Sequence, residues 1–494
     1  MRKFLWALLA CALLSCAGAP SHLSRTLAQN TTNWANLLDR GMPRDLLFGV
    51  QLGGKEPFER NRDEMMAPAS LAKLFTTGAA LAQLGENFQY TTLLRWQQAS
   101  GGQATSVEIV GQGDPTWGMK EFGFNLEQQF DDLALALSKK GVQEIDEDIK
   151  FTSDPRWQQI SFPSGWKEED HASCDGSQAQ GFNVSANCAP YLLRGPQRGA
   201  WAMPGLSLPV NLKIVAGAKT RLTAHWLKTG TFEIRGTWAR NTASREIFLP
   251  IHDTRPWANA LFRRALRKQN IRVQRVAQGL APLENNEAIF TSPKLSLVLQ
   301  PFNKNSVNFL GDALLKTLAA TNSSLGTNLH EAGLELLRAH LTEEGFAEGH
   351  LLHDGSGLSR TSRVSPELVY AYLYQAINRP YFSALLDSLP VAGVDGTLRD
   401  RMRRSPAEGA LRAKTGTLDG VYNLAGYVPY GETQIPFVIM SRTSPNRGSV
   451  VRPSLDRVGV ELARIHATQA TPVDWPAPRP LIPFVEEHSG ESRR

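Results

Sequence analysis

The spacing of apolar and polar residues changes several times along the chain. Residues 46–52 form a short apolar run closed by Gly53-Gly54, the pattern of a buried strand. Residues 70–84 predict an apolar, tightly packed helix. From about 90 to 290 the texture is mostly β. Short runs at 90–96, 106–110, 208–215 and 231–238 are separated by Gly, Pro, Ser and Asn. One helical stretch, 126–139, interrupts them. After 290 the helical period returns. Val307, Phe309, Leu310, Ala313, Leu314 and Leu318 fall on one broad helix face, and 329–342 and 366–377 also predict helices. Runs at 411–418, 422–428 and 435–440, joined by short Gly-containing turns, predict an antiparallel meander. A final helix is expected at about 454–467. No internal repeat is present.

Composition narrows the class. A chain of 494 residues allows about two to four domains. With 42% hydrophobic and 20% charged residues it is globular rather than disordered. Its net charge of +6 comes without a long Lys/Arg block, so nucleic-acid binding is not implied, while an anionic polymer stays open as a partner. Residues 1–19 read as an export signal: Arg2-Lys3, an apolar run over 4–14, then small residues. Ala17-Gly18-Ala19 fits ordinary cleavage. Leu13-Leu14-Ser15-Cys16 is similar to a lipoprotein signal, so the product is either soluble or tethered by a lipid on Cys16. Loss of Arg2 and Lys3 with the leader brings the charge to +4. No later stretch approaches the ~20 apolar residues of a membrane-spanning helix. Residues 471–494, with five prolines followed by charges, are expected to form a tail.

Export permits disulfides. Cys11 and Cys16 belong to the leader, leaving Cys174 and Cys188, 14 residues apart. A bridge between them would close a short loop, worth roughly 3 kcal/mol in a loop-entropy account. Two unpaired thiols are the alternative. No Cys-x-x-Cys or Cys/His cluster suggests a metal, and no cofactor is expected.

Ser70-Leu-Ala-Lys73 places a hydroxyl and an amine on one face of the predicted helix. If Lys73 is kept neutral by desolvation, it can take the proton of Ser70. Pro68 puts Ser70 at the helix N-terminus, where the helix dipole favours a developing alkoxide. The letters alone decide little. Ser164-Gly-Trp-Lys167, Ser185-Ala-Asn187 and Lys228-Thr-Gly230 spell a second set in the same order. Ser164, however, lies between Pro163 and Gly165 with no helical period to hold Lys167 one turn away. The favoured set adds Ser306-Val-Asn308, opening the helix that follows, and Lys414-Thr-Gly416 on a strand. Ser306 can relay a proton to the leaving group, and Asn308 can bond a substrate amide. Lys414 offers fixed positive charge to an anionic substrate group. Gly416 lets a substrate backbone approach, and Thr417 offers a backbone N–H beside the nucleophile. Singly, each residue has an ordinary structural reading as a cap or surface charge. Their order on helix, helix and strand is what points to chemistry.

With these motifs, residues 45–465 resemble the D-alanyl-D-alanine carboxypeptidase/endopeptidase family of the penicillin-binding protein 4 type, peptidase family S13. The resemblance rests on Ala67-Pro-Ala-Ser-Leu-Ala-Lys-Leu74, Gly113-Asp-Pro115, Asp354-Gly-Ser-Gly-Leu-Ser-Arg360, Gly396-Thr-Leu398, Ala413-Lys-Thr-Gly-Thr-Leu418 and Leu424-Ala-Gly-Tyr-Val428. Two positions depart from it: Val307 stands where Asp or Asn is common, and Gly311-Asp312 where the family often has Ala-Glu. The resemblance implies an α/β (α+β) transpeptidase-like domain, an antiparallel sheet flanked by helices. Residues 20–95 and 290–470 would form it, interrupted by a β-rich insert at 96–289. It also implies that the cysteine pair is bridged.

The implied reaction is attack of Ser70 on the carbonyl between two D-alanines, with Lys73 as base. Backbone N–H groups of Ser70 and Thr417 would form the oxyanion hole, and Ser306 would relay the proton. Lys414, Thr415 and Thr417 would hold the terminal carboxylate. Arg360 would hold a carboxylate of the stem peptide, with Asp154 and Trp157 as weaker binding candidates. The implied partners are peptidoglycan peptides ending in D-Ala-D-Ala and, as inhibitors, β-lactams, in a bacterial periplasm or envelope. A homo-oligomer stays open. The competing classes are a β-lactamase or esterase on the same fold and a wall-binding protein without catalysis.

Overall fold

The structure, a computed structural model, describes residues 34–467 except 41, 55–56, 100, 147, 228–229, 276–282 and 323–327. The export signal with Cys11 and Cys16, the tail and Lys228 of the second motif set lie outside the described residues.

Chain segments far apart in sequence make one five-stranded antiparallel sheet. Its order is Arg412–Leu418, Val421–Tyr430, Thr433–Arg442, Leu47–Leu52, Phe58–Arg60. Leu47 pairs with Arg442 and Leu52 with Phe437, which stitches the start of the fold to its end. Thr433–Arg442 is buried over most of its length on both faces, as its unbroken apolar run requires. Phe437 and Ile439 face a core completed by Trp34, Leu38 and Val458. Val438 and Met440 face the opposite core, made with helices Ala72–Leu84, Asn308–Ala320, Leu329–Glu343 and Pro366–Ala376. Helix Ala72–Leu84 is buried from Ala72 through Leu81, which explains why it shows no polar face. The architecture is the helix-flanked antiparallel sheet expected above.

The residues between these segments build separate sheets. Thr91–Ala99 pairs on one side with Gln103–Gly111 and on the other with Leu283–Thr291, and three short strands complete a six-stranded sheet. Thr91 is the cross-strand partner of Thr291. The chain therefore leaves and re-enters the helical core at neighbouring points, and a long excursion fits without splitting that core. Helices Leu126–Lys139 and Arg255–Lys268 cover this sheet. Two three-stranded sheets follow: Val210–Ala216, Arg221–Leu227 and Thr231–Trp238, and Cys188–Leu193, Gly199–Trp201 and Arg245–Pro250.

Several expectations need correction. Helix Arg255–Lys268 lies in the zone read as β with a single helix. Its buried residues, Trp257, Ala258, Leu261, Phe262, Ala265 and Leu266, have clear helical spacing. Helices Leu295–Lys304 and Phe382–Ser388 were not separated from their surroundings. The last helix begins at Gly448, not near 454, because Pro453 is accommodated early in it. Ser306 does not open its helix. The helix starts at Asn308, and Ser306 sits before it at φ 60°.

Candidate active site

A strained turn delivers Ser70. Ala69, a non-glycine residue, has φ 47° and begins a single 3₁₀ turn that runs directly into helix Ala72–Leu84. Two neighbours hold the turn. Asn423 donates through Nδ2 to the carbonyls of Ala67 at 3.0 Å and Pro68 at 2.9 Å. Gly357, at φ +78°, lies so close that a Cβ there would come within 1.8 Å of the Ala69 carbonyl oxygen. A non-optimal backbone conformation persisting beside a reactive side chain is the usual signature of a site fixed by its surroundings.

Lys73 lies one turn beyond Ser70 and is fully buried. Its Nζ is 3.1 Å from Ser70 Oγ, 2.7 Å from Asn308 Oδ1 and 2.6 Å from the carbonyl oxygen of Ser356. The ring of Phe302 lies 5.7 Å away. Burial pushes the amine down to about 7, against the opposing pull of Asp354 and Asp175. Near neutral pH a substantial share of Lys73 is thus unprotonated and able to accept a proton.

Lys414, also fully buried, donates to Ser306 Oγ at 2.9 Å and to the carbonyl of Thr415 at 3.1 Å. Burial, and then the neighbouring Lys73, hold its amine well below its ordinary value. Thr415 Oγ1 donates to Thr397 Oγ1 at 2.9 Å. A Cβ on Gly416 would meet the Pro68 carbonyl at 2.8 Å, so the strand lies hard against the nucleophile turn. Thr417 is exposed next to it. Short hydrogen bonds thus join Ser70, Lys73 and Asn308 in one group and Ser306 and Lys414 in a second, residues drawn from three distant parts of the chain.

The sequence reading quoted Asp354–Arg360 without giving most of it a role. Asp354, 2% exposed, organises that loop. Its carboxylate accepts from the N–H groups of Ser356 at 2.8 Å, Gly357, and Ser359 at 2.7 Å. It also accepts from Trp166 Nε1 at 2.7 Å. The loop so fixed aims the Ser356 carbonyl at Lys73. Asp354 and Thr397 had no signal of their own beyond membership in the quoted strings, and Asn423 lies one residue ahead of the string that begins at Leu424.

The second motif set is placed differently. Ser164 is exposed on a turn, and Lys167 is half-exposed and paired with Asp419 at 3.6 Å. Ser185, Ala186 and Asn187 form a tight turn, all at positive φ. The 164–166 stretch instead walls the Asp354 loop: the carbonyl of Ser164 accepts from Ser359 Oγ at 2.7 Å, and that of Gly165 from the N–H of Arg360 at 3.1 Å.

Arg360 forms an ion pair with Asp170, itself buried, and donates to the carbonyl of Leu358 at 3.2 Å. Asp154, the carboxylate expected to bind substrate, is engaged otherwise. It caps the short turn Pro155–Gln158 and pairs with Arg156 at 2.7 Å, and no hydrogen bond joins it to the reacting cluster. Trp157 packs against Gly113 in the core. The carboxylate that meets Arg360 is Asp170, which the sequence reading passed over because it carries no motif.

Cys174 and Cys188 are joined in a disulfide, with Cα atoms 5.6 Å apart. The segment after Cys174 is clamped to helix Asn308–Ala320 by a buried ionic group. Asp312 accepts from the N–H of Ala179 at 2.8 Å and pairs with Lys316 at 2.9 Å, while Lys316 donates to the Ala179 carbonyl at 2.9 Å. Asp312 also meets His330 Nδ1 at 3.0 Å. Burial alone would raise the Asp312 carboxyl, but Lys316 and His330 hold it down at about 2. A groove of about 820 Å³ runs from Ser306 and Asn308 past Met119 and the disulfide to Phe248. Among the described residues no group of three or more His, Cys, Asp or Glu is placed to hold a metal.

A serine held by a buried, deprotonable lysine, faced by a Ser/Asn pair and a Lys-Thr-Gly strand, defines a serine acyl-transfer enzyme of the penicillin-binding type. Residues 51–461 match the model of the D-Ala-D-Ala carboxypeptidase 3 (S13) family, and the chain belongs to that family. A D-alanyl-D-alanine carboxypeptidase of Actinomadura sp. (strain R39) is 29% identical over 445 residues, 84% of this chain and 80% of that protein. The crystal structure of penicillin binding protein 4 from Haemophilus influenzae superposes with a TM-score of 0.69 at 24% identity, covering 88% of this chain and 99% of that one. A second structure of that protein, complexed with a β-lactam, gives a TM-score of 0.67 at 23% identity with the same coverage.

Proposed function

We propose that the chain hydrolyses the terminal D-Ala-D-Ala bond of peptidoglycan stem peptides, and the peptide cross-links between stems, through an acyl-enzyme on Ser70. The reading is carried by one observation: a fully buried Lys73 amine 3.1 Å from the Ser70 hydroxyl. Neutral Lys73 takes the Ser70 proton, and Oγ attacks the carbonyl carbon between the two D-alanines. The negative charge that develops on the carbonyl oxygen is stabilised by the backbone N–H groups of Ser70 and Thr417, usually the largest contribution in such reactions. The C–N bond then breaks, and Ser306 passes a proton to the departing amine. Lys414, Thr415 and Thr417 hold the carboxylate of the leaving D-alanine, Gly416 lets its backbone approach, and Asn308 holds the substrate amide. Water adds to the ester and frees Ser70. A β-lactam acylates the same oxygen. Arg360, tethered to Asp170 but about a third exposed, offers the remaining N–H donors to a stem-peptide carboxylate.

The enzyme acts outside the cytoplasmic membrane, exported by residues 1–19, with release after Ala19 or tethering through a lipid on Cys16. Among the described residues no helix is long and apolar enough to cross a membrane. The test of the reading is release of D-alanine from a diacyl-D-Ala-D-Ala peptide and from purified peptidoglycan, together with labelling by a fluorescent penicillin. Both are expected, and both should vanish in Ser70→Ala. Labelling that survives in Ser70→Ala removes Ser70 as the nucleophile.

A further inference from the structure

Positive charge in this protein is concentrated where the acyl-transfer chemistry does not use it. Residues 188–250 hold nine Lys and Arg against two Asp and Glu, a net +7 in a chain whose total is +6. Five of the nine, Lys213, Lys219, Arg221, Arg235 and Arg240, lie in or beside one three-stranded sheet. In the sheet Val210–Ala216, Arg221–Leu227 and Thr231–Trp238, Lys213, Arg235 and Thr223 are cross-strand neighbours in one row. Val215, Thr237 and Arg221 form the next row of the same face. The opposite face, with Ile214, Phe232, Ile234 and Leu222, turns into a core. The charged face is therefore the outer one, and its lysines and arginines are exposed, as are Lys219 and Arg240 at its end. Its one carboxylate, Glu233, is taken by Lys213 and Arg235. Among the described residues no ion pair engages Lys219, Arg221 or Arg240.

This face is continuous with the active site. The groove that starts at Ser306 and Asn308 reaches Cys174, Asp175 and Phe248. A second depression of about 400 Å³ shares those three residues and ends at Thr223 and Ala224. Thr223 stands in the row of Lys213 and Arg235.

We infer that the outer face of this sheet is a docking surface for the polymeric substrate. An anionic peptidoglycan strand lies on Lys219, Arg221 and Arg240 while one of its stems follows the groove to Ser70. The inference rests on the function proposed above and adds to it a second, non-catalytic contact with the same polymer. Each uncut stem ends in a D-alanine carboxylate, so a polymer of stems presents repeated negative charge to a surface of fixed positive charge. Such a surface raises the local concentration of substrate without touching the reacting atoms, and two linked contacts bind more tightly than either alone.

The test uses the full chain and its charge-reversed variant Lys219→Glu/Arg221→Glu/Arg240→Glu, with the three single Gln variants beside it in case the triple variant does not fold. Co-sedimentation is measured with purified sacculi stripped of attached anionic polymers, counting only the fraction that shows a cooperative thermal transition. Affinity is expected to fall about tenfold at low salt in the triple variant, and by a smaller step in each single one. The difference should shrink as salt shortens the reach of charge from about 10 Å at 0.1 M to about 3 Å at 1 M. Equal sacculus affinity in parent and variants overturns the inference. So does a loss confined to phosphatidylglycerol vesicles, which would assign the face to a membrane. Failure of the parent to release D-alanine from a short peptide would sink the proposed function instead, and is read in a separate assay.

Discussion

Two segments of this chain spell the same motif and do opposite things. Ser70-Leu-Ala-Lys73 enters a helix that is buried on every side, and its lysine is stripped of water and held at about 7. Ser164-Gly-Trp-Lys167 lies on a surface turn, and its lysine reaches into solvent towards Asp419. The difference locates the chemistry. A serine and a lysine three residues apart become nucleophile and base only when a helix fixes their distance and burial removes the amine's proton. The two segments are nevertheless coupled. Trp166 of the second donates to Asp354, and Asp354 holds the loop whose Ser356 carbonyl receives Lys73 of the first.

The sharpest way to break the comparison is to make the first lysine behave like the second. Lys73→Arg keeps a cation in place but cannot lose its proton near neutrality. Penicillin acylation measured by stopped flow is expected to fall by about 10³-fold or more, at the upper end of general-base effects. A loss of less than tenfold would remove proton acceptance as the role of Lys73. In the parent, the acylation rate should climb with pH through about 7 and then level, because a lysine whose pKa is lowered to about 7 is neutral above that value. A rate that is flat from pH 6 to 8 would contradict a titrating Lys73.

A third lysine sharpens the lesson. Lys316 is as buried as Lys73, yet a carboxylate, Asp312, lies 2.9 Å from it. What matters is burial together with the partner supplied. Asp312→Asn leaves the Lys316 and His330 side by side without their anion. Breaking a buried pair in this way typically costs about 3–5 kcal/mol. A clear fall in the midpoint of thermal unfolding is expected, with the 174–180 segment the first to gain protease sensitivity. An unchanged midpoint would mean that the buried group contributes no net stability.

Much of this was legible in the sequence because it depends on local rules. The three C-terminal strands followed from alternation and turn residues. The helix behind Ser70 followed from a continuous apolar run after Pro68. Ser70, Lys73, Ser306, Asn308 and Lys414 followed from motif order. What sequence could not give depends on tertiary placement. Asp170 was invisible because its partner Arg360 is 190 residues away. Asp154 was a weaker candidate in the insert, and in the fold it pairs with Arg156, a contact the sequence did not indicate. Helix Arg255–Lys268 was legible but missed: its helical spacing was masked by four Arg and one Lys in a zone otherwise read as strands. The local backbone at Ser306 was misjudged because a left-handed serine has no sequence signature.

The coupling between the two segments predicts a graded effect. Trp166→Phe keeps the aromatic wall and removes one hydrogen bond to a buried carboxylate. Hydrogen bonds to charged groups are worth about 1.5–3 kcal/mol. Penicillin acylation should slow by roughly tenfold, the part of that energy expressed in how well the loop holds Lys73. An unchanged acylation rate would show that the Asp354 loop is rigid without its Trp166 contact.

The smallest expected effect is at Lys167 itself. Its side chain is 48% exposed and its partner Asp419 is 70% exposed, at 3.6 Å. An ion pair so open to water contributes about 0–1 kcal/mol, because solvent screens the attraction and both side chains lose freedom in making it. Lys167→Gln should therefore shift the unfolding midpoint by no more than a degree or two and leave penicillin acylation within about twofold of the parent. The result is informative because the same substitution at Lys73 would remove the proposed base altogether. If Lys167→Gln instead slowed acylation as Lys73→Arg does, burial would no longer separate the two segments. The second one, with its exposed serine, would then have to be reconsidered as a working site. If both substitutions behave as expected, identical letters are told apart by the water around one amine.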